Sequence, residues 1–396
     1  MTETHRSRPR VARALERAAE VAAHAGSAAG HEPGHVAITR HVAIGDPQAP
    51  IETFFEVLDD HGLLGADGRL ASDVHLVTIG DYFDWGTRGD RTRAARSARE
   101  LLEWLADHPR ERVTLLIGNH DLARVGELGH VDDETFARAR DEADAAYFDR
   151  APKRDEREFR TETGFSSWEI VARDFANFET SQRAVVRRLL RAQRLEIAFA
   201  SGEDLLLTHA GVTTRELEEL GLGETATAPV IAAALQRRLH DAVREWREGP
   251  FAIPGLHAPG DARGDGAGMF YHRPEVRSGP AATSEIAGSA LSRRYDVRTL
   301  PLGLGQAIGH TRDTKCRTLL GVAARDSGEP EGAIHRACVR DGRVTYARGA
   351  PASRDPGAAT LIFLDGGMQH VARERYELYD LITRAPLRRP NPASAR

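Results

Sequence analysis

The sequence predicts a layered α/β fold, because short buried strands alternate with amphipathic helices in the first part of the chain. Three apolar segments, at residues 36–44, 74–79 and 113–117, are predicted to be strands. Between them, apolar residues recur at helical spacing from Ile51 to Leu58 and from Ala94 to Leu105. The resulting β-α-β-α-β order is typical of a sheet whose parallel strands are joined by helices.

Length and composition restrict the class of protein. A chain of 396 residues can bury a substantial core in one large or two ordinary domains. The net charge of −5 gives no reason to expect nucleic acid as an obligatory partner. Cys316 and Cys338 are the only cysteines, which excludes a disulfide framework and fits a reducing compartment. No stretch approaches the ~20 apolar residues that span a membrane, so we expect a cytoplasmic protein without a membrane partner.

The remaining segments divide the chain into regions. Residues 1–34 are rich in Ala and Arg and are expected to form a flexible arm, and residues 385–396 a disordered tail. Residues 35–384 are expected to form one domain. Within it, residues 122–200 are predicted to be a helical insertion, and residues 212–300 a cap that is first helical and then rich in Gly and Pro. Later strands are predicted at 307–308, 318–322, 334–339, 344–346 and 361–364, and a terminal helix at 371–382.

Polar side chains that can bind metal follow several predicted strands. The runs are Gly45-Asp46-Pro47-Gln48, Ile79-Gly80-Asp81-Tyr82-Phe83-Asp84, Gly118-Asn119-His120-Asp121, Thr208-His209-Ala210-Gly211 and Ile308-Gly309-His310-Thr311. Because ligands bind at the carboxyl ends of strands in open α/β sheets, we expect these side chains to converge at one edge. Mixed oxygen and nitrogen ligands suit a transition metal better than calcium. The sequence therefore predicts a metal site.

In order and spacing, these five runs resemble the motifs of the calcineurin-like metallophosphoesterases. The resemblance covers residues 41–365 and is nearest to the branch that contains the serine/threonine phosphatases and the bacterial dinucleoside polyphosphate hydrolases. It implies a four-layer α/β/β/α sandwich with a dinuclear metal centre between the sheets. The implied activity is hydrolysis of phosphate esters by a metal-bound hydroxide. A phosphorylated small molecule, a nucleotide or a phosphoprotein would be the substrate.

The resemblance also implies a ligand set for two divalent ions. The ligands are Asp46, Gln48, Asp81, Asn119, His209 and His310. Asp81 would bridge both ions, Asp46 and Gln48 would hold the first ion, and the other three residues would complete the second. Manganese is the expected metal, with iron, zinc, nickel and magnesium as alternatives.

The chain departs from the family pattern at three positions. Gln48 stands where the family usually has His, Arg312 where it often has a second His, and Trp85 where it has a phosphate-binding Arg. An amide binds late transition metals more weakly than an imidazole, so the first site is expected to be weak and to prefer harder ions. A guanidinium for the phosphate is expected from elsewhere in the chain. The candidates are Arg88, Arg124, Arg273 and Arg312.

By the same resemblance, His120 would be the general acid, with its imidazole oriented by Asp84. The alternative function is a non-catalytic metal- or phosphate-binding module with a degenerate first metal site. The His120–Asp84 pair favours turnover, because a binding module has no need of a general acid.

Overall fold

The computed structural model describes residues 8–24, 36–278, 291–321, 331–348 and 355–390. It confirms the α/β class, since two six-stranded sheets are accompanied by numerous helices. None of the helices in these ranges combines the length and the apolar character that a membrane span requires.

The first sheet contains the alternation that opens the domain. Its strands are β1 (Arg40–Ile44), β2 (Val74–Thr78), β3 (Val113–Leu116), β4 (Leu195–Glu196), β15 (Tyr379–Asp380) and β16 (Ala385–Pro386). The strand order is β16-β15-β1-β2-β3-β4, in which β1 to β4 are parallel and β15 is antiparallel to β1. The first two crossovers contain α2 (Ile51–Asp60) and α3 (Arg91–Ala106), as predicted.

The second sheet is built from the later part of the chain. Its strands are β5 (Ala198–Ala200), β6 (Leu205–Thr208), β11 (Gly305–Ile308), β12 (His335–Arg340), β13 (Arg343–Arg348) and β14 (Ala358–Phe363). The order is β13-β12-β14-β11-β6-β5. β6, β11 and β14 are parallel neighbours, and Thr208, Ile308 and Phe363 lie side by side at their carboxyl ends.

The two sheets pack face to face. Ala43, Val77 and Leu116 of the first sheet belong to one buried cluster with Leu207 and Ile362 of the second. The apolar faces of α2 and α3 are buried beside the first sheet, and α9 (Ala228–Glu245) contacts β5 and β6 of the second. This is the α/β/β/α layering that the resemblance implies, and it brings both sets of strand ends to one region.

The N-terminal region differs from the expected flexible arm. Residues Pro9–Ala23 form a helix, α1, which packs against α2 and α3. Val11, Ala14, Ala18 and Ala22 are buried at helical spacing on one face. The small side chains allow this close packing, and arm residues 1–7 and 25–34 lie outside the described residues.

Helices occupy the predicted insertion. They are α4 (Asn119–Ala123), α5 (Asp133–Tyr147), α6 (Glu156–Thr163), a π-helix at Ile170–Asp174 and α7 (Thr180–Arg191). Phe136, Phe159 and Phe178 belong to a separate apolar cluster within this region. The cap region contains α8 (Thr214–Glu219) and α9, followed by four short strands: β7 (His257–Ala258), β8 (Ala267–Gly268), β9 (Arg273–Glu275) and β10 (Arg294–Asp296).

Three short segments differ from the sequence prediction. Part of the predicted strand 318–322 belongs to α10 (Asp313–Leu320), in which an Asp313–Arg317 ion pair at 2.7 Å links successive turns. The predicted helix at 371–382 contains only a 3₁₀ turn at Arg373–Arg375 before β15. The expected tail begins with β16, which pairs with β15, while residues 391–396 lie outside the described residues.

Candidate metal centre

The predicted ligands follow the carboxyl ends of strands in both sheets. Asp46, Asp81 and Asn119 follow β1, β2 and β3 of the first sheet, and His209 and His310 follow β6 and β11 of the second. All five are at least nine-tenths buried. Gln48, two residues beyond Asp46, is partly buried. The structure thus places all six predicted ligands at the strand ends where the sheets meet.

Two of these ligands adopt an uncommon backbone conformation. Asp81 has a φ of +59° and His310 a φ of +61°, in the left-handed region. Each such non-glycine residue costs on the order of 1–3 kcal/mol, and such conformations cluster at functional sites. Gly80 precedes Asp81 with a φ of +95°, and a Cβ there would lie 2.4 Å from the backbone nitrogen of Gly118. The two strand ends are therefore in backbone contact, which brings Asp81 next to Asn119.

One ligand group combines carboxylate, amide and imidazole. Ligand atoms of Asp81, His209 and His310 lie within 4.8 Å of one another. His209 Nδ1 is 2.8 Å from the carbonyl oxygen of Ile79, which can only accept a hydrogen bond, so Nδ1 carries the proton. His209 Nε2 lies 3.0 Å from Asn119 Oδ1 and 3.4 Å from Asp81 Oδ2. Burial favours the neutral imidazole, but the charge of Asp81 and the hydrogen bonds of the ring outweigh it and raise the pKa of His209. The surrounding oxygen atoms therefore stabilise a positive charge at this position, so the group fits a metal ion.

The second imidazole supports the same conclusion. His310 Nε2 is buried and has no hydrogen-bond partner among the described residues. Burial, followed by the positive charge of Arg273, lowers the pKa of His310 well below its ordinary value. A neutral imidazole with a free, buried nitrogen is suited to metal coordination.

The other ligand group consists of oxygen atoms. Asp46 Oδ2 accepts a hydrogen bond of 2.8 Å from the backbone N–H of His310, whereas Oδ1 is buried without a partner in the described part of the chain. Gln48 Nε2 donates to the carbonyl oxygen of Phe83 at 3.0 Å, which leaves the amide oxygen for another contact. Burial and the charges of Asp365 and Asp81 raise the pKa of Asp46 well above its ordinary value. A cation beside Asp46 would offset this repulsion.

His120 lies beside the ligands. Its Nδ1 is 2.8 Å from Asp84 Oδ2, and its Nε2 is 4.0 Å from Asp81 Oδ2. Burial favours the neutral imidazole, but the charge of Asp81 and the hydrogen bond to Asp84 outweigh it and raise the pKa of His120 to about 9. The ring is 16% exposed and lines the cavity, so it is accessible to a molecule that enters the cavity.

Asp121 is a site residue to which the sequence analysis assigned no role. Its fully buried carboxylate accepts backbone hydrogen bonds from Gly118, Asp81 and Tyr82 at 2.8, 2.8 and 3.0 Å. It thereby fixes the ends of β2 and β3 relative to each other. Burial and the neighbouring Asp81 raise the pKa of Asp121 to about 7. Its place directly after Asn119 and His120 was the only signal in the sequence.

The four candidate phosphate-binding arginines occupy different positions. Arg273 and Arg312 line the cavity, and Arg273 Nη1 donates to the carbonyl oxygen of His310 at 3.0 Å. Arg88 instead lies at the surface and pairs with Asp149 at 3.0 Å. The structure does not place Arg88 at the cavity, because acidic residues of α5 and the turn after it hold its side chain.

Arg124 also differs from its expected role. Its side chain is fully buried, with Nη2 donating to Asp84 Oδ2 at 2.6 Å and Nε to Gln182 Oε1 at 2.9 Å. Its guanidinium also lies 4.7 Å from the centre of the Phe83 ring. These contacts hold Arg124 against Asp84, the partner of His120, and away from the cavity.

A polar cavity of about 890 Å³ opens above the ligands. It is lined by further basic residues that the sequence analysis did not select: Arg173, Arg293, Arg294 and Lys315. Asp365, to which the sequence analysis assigned no role, also lines it. The cavity is therefore lined by candidate metal ligands on one side and by largely basic residues elsewhere.

Comparison with known families identifies the class of protein. A family model described as calcineurin-like phosphoesterase matches residues 39–264, more than half of the chain. The chain belongs to the calcineurin-like phosphoesterases. Members of this family hydrolyse phosphate esters with the help of metal ions.

Among solved structures, the chain is similar to cold-active protein tyrosine phosphatases. One of them shares 18% identity at a TM-score of 0.28, with 56% of this chain and 52% of that chain covered. Another, from a psychrophilic Shewanella species, shares 18% identity at a TM-score of 0.28, with 59% and 60% covered. The chain thus spans only about half to three fifths of the length of these structures. The comparison with curated proteins found no match.

Proposed function

We propose that this protein hydrolyses phosphate esters at a dinuclear metal centre, with His120 as the general acid. The observation that carries the proposal is the position of the His120–Asp84 pair, which lines the same cavity as four of the six candidate ligands, Asp46, Gln48, Asp81 and His310. A site that only binds metal or phosphate has no need of a protonated imidazole at this position. The pair therefore supports turnover over the alternative of a binding module.

The two ligand groups account for two unequal ions. Asp81, Asn119, His209 and His310 would hold one ion, and Asp46, Gln48 and Asp81 the other. When bound, the ions supply Lewis acidity and a nucleophile at neutral pH. Oxygen ligands favour manganese or magnesium over zinc at the site of Asp46 and Gln48, since that site contains no imidazole.

The protein's own groups supply the proton and the orientation. Asp84 accepts from His120 Nδ1, which leaves Nε2–H to protonate the leaving oxygen of the ester. Arg124 donates to the same Asp84 oxygen and holds that carboxylate in position. The resulting chain from Arg124 to Nε2 of His120 orients the acid before the substrate binds.

The wall of the cavity indicates the substrate class. Arg273 and Arg312 line it beside His310, and guanidinium groups pair with phosphate through two parallel hydrogen bonds. The substrate would be a phosphorylated small molecule, a nucleotide or a phosphoprotein. The proposed branch, near the serine/threonine phosphatases and dinucleoside polyphosphate hydrolases, accommodates each of these.

An aryl phosphate assay tests the proposal. The full chain, stripped of metal and reloaded with manganese, is expected to hydrolyse p-nitrophenyl phosphate or bis(p-nitrophenyl) phosphate, and the preferred ester distinguishes monoesterase from diesterase activity. Asp81→Asn is the matched negative control, because it removes the bridging charge at nearly constant volume. Absence of turnover on both esters, with two manganese ions bound per chain, would favour the binding module.

A further inference from the structure

Asp365 occupies a ligand position in the second sheet. Ile308 of β11 and Phe363 of β14 are register partners on neighbouring parallel strands. His310 and Asp365 each follow two residues later, so they lie in the same row beyond the strand ends. The hydrogen bonding between β11 and β14 extends beyond Phe363, because the N–H of Leu364 donates to the carbonyl oxygen of Ile308 at 2.7 Å.

The same segment touches the first sheet. A Cβ on Gly45 would lie 2.0 Å from the carbonyl oxygen of Leu364 and 2.9 Å from the backbone nitrogen of Asp365. The ends of β1 and β14 are therefore in backbone contact across the sandwich. Asp46 follows Gly45 directly, which brings Asp46 and Asp365 to the same side of the cavity, and both line it.

Free oxygen atoms are present on both carboxylates. Asp46 is 2% exposed, and its Oδ1 has no hydrogen-bond partner among the described residues. Asp365 Oδ1 accepts from the N–H of Gly367 at 2.9 Å, which fixes the side chain and leaves Oδ2 for another contact. Gln48 also lines the cavity, and its hydrogen bond to Phe83 uses the amide nitrogen and not the amide oxygen.

We propose that Asp365 is a ligand of the first metal ion and completes an oxygen-only set with Asp46, Gln48 and Asp81. This inference rests on the proposed dinuclear centre and adds a ligand that follows β14. The consequence is a site with three carboxylates and no imidazole. Such a site selects hard ions, manganese or magnesium, and compensates for the weak amide donor of Gln48.

The proposal is tested by titrating manganese into the metal-free full chain and measuring the heat of binding by calorimetry. The unmodified protein is expected to show two binding events. Asp365→Ala should weaken one event at least about 10-fold and leave the other within about twofold, because only one ion loses a ligand. His209→Ala assigns the events, since it removes a ligand of the nitrogen-containing site alone.

Two further variants keep the test decisive. Asp365→Asn retains an oxygen that can accept from Gly367, so the turn is preserved while the charge is removed. Asp174→Asn is the matched control, because Asp174 also lines the cavity but pairs with Arg173 at 2.6 Å. We expect weakening in Asp365→Asn and no change in Asp174→Asn.

The outcomes separate this inference from the proposed function. The inference would be overturned if both binding events were unchanged in both Asp365 variants. It would also be overturned if Asp174→Asn weakened manganese binding equally, because the effect would then follow from the loss of any negative charge in the cavity. Weakening of the event assigned to His209 would also overturn it. The titration contains no substrate, so a protein that binds both ions without hydrolysing any ester would refute the function and leave the ligand assignment intact.

Discussion

His120 shows how a single side chain acquires its chemistry from two neighbours. Asp84 orients the ring, and Asp81 stabilises its protonated form. His120→Asn is expected to retain metal and to lose roughly 10²–10⁴ in rate on an alkyl phosphate, whose leaving group needs a proton. The loss on p-nitrophenyl phosphate should be smaller, because that leaving group departs without assistance. Steady-state rates on both substrates provide the measurement.

The comparison of leaving groups has an internal control. Asn cannot act as an acid but preserves the polarity and approximate size of the side chain, so altered packing would affect both substrates alike. Equal losses in rate on the two esters would show that His120 is not the general acid.

Metal content tests the ligands directly. Asn119→Ala and His209→Ala are each expected to reduce bound metal from two ions to one. Asp81→Ala should reduce the occupancy of both sites, since Asp81 is proposed to serve both ions. Elemental analysis after gel filtration gives the stoichiometry, and circular dichroism checks the fold. His370→Ala serves as the control, because His370 lines the cavity but is exposed and is not a candidate ligand. Full metal content in all three ligand variants would contradict the assignment.

For single residues, the sequence predicted correctly the side chains whose position follows from the end of a strand. It did not predict the position of side chains that depends on tertiary packing. The ligands lie directly after apolar strands, so their convergence could be inferred. Arg124 could not be placed, because its direction depends on Gln182 in a helix 58 residues away. Asp365 was missed because Asp-Gly-Gly after a strand is also the composition of an ordinary turn.

At the scale of elements, periodicity identified the long segments and misassigned short ones. The β-α-β-α-β order and the helical insertion were predicted, because each segment buries a face with a clear period. Residues 371–382 were misassigned as helix, although the buried positions form two pairs, Tyr376 with Leu378 and Tyr379 with Leu381, each two residues apart. That spacing is typical of extended chain, but the flanking charged residues resemble a helix surface.

Helix α1 provides a test of the packing at this scale. Ala18 is fully buried against the neighbouring helices, whereas Ala19 is exposed. Ala18→Asp is expected to lower the free energy of unfolding by at least about 3 kcal/mol, because it buries an unpaired charge. Ala19→Asp has the same helix propensity cost and should change stability by less than about 1 kcal/mol. Urea denaturation of both variants measures the difference, and similar values would show that α1 does not pack in solution.

For the whole molecule, the stacking of two sheets determines where ionisable groups can be tolerated. The fold also buries several imidazoles that are not candidate metal ligands, in the sandwich and in the cap region. Burial lowers the pKa of His75 to about 4 and the pKa values of His108 and His257 to about 3. His108 has hydrogen-bond partners, whereas both ring nitrogens of His257 lack a partner among the described residues. His257 therefore isolates the effect of burial on stability.

The sign of the pH dependence follows from linkage. As the pH falls through about 6.5, the unfolded chain takes up a proton on His257, whereas the folded protein does so only near pH 3. The unfolded state therefore binds more protons between these values, and the free energy of unfolding decreases as the pH falls. Between pH 7 and pH 5 this one residue contributes a loss of about 2 kcal/mol.

His257→Leu removes this term and keeps an apolar side chain between Phe270 and Tyr271, which contact the ring. Urea unfolding of both proteins at pH 7 and pH 5 gives the measurement. The variant should lose about 2 kcal/mol less than the unmodified protein over this interval, because His75, His108 and the carboxylates of the metal centre are common to both and cancel. Identical losses would mean that the imidazole of His257 is protonated in the folded protein, which the burial of both ring nitrogens opposes.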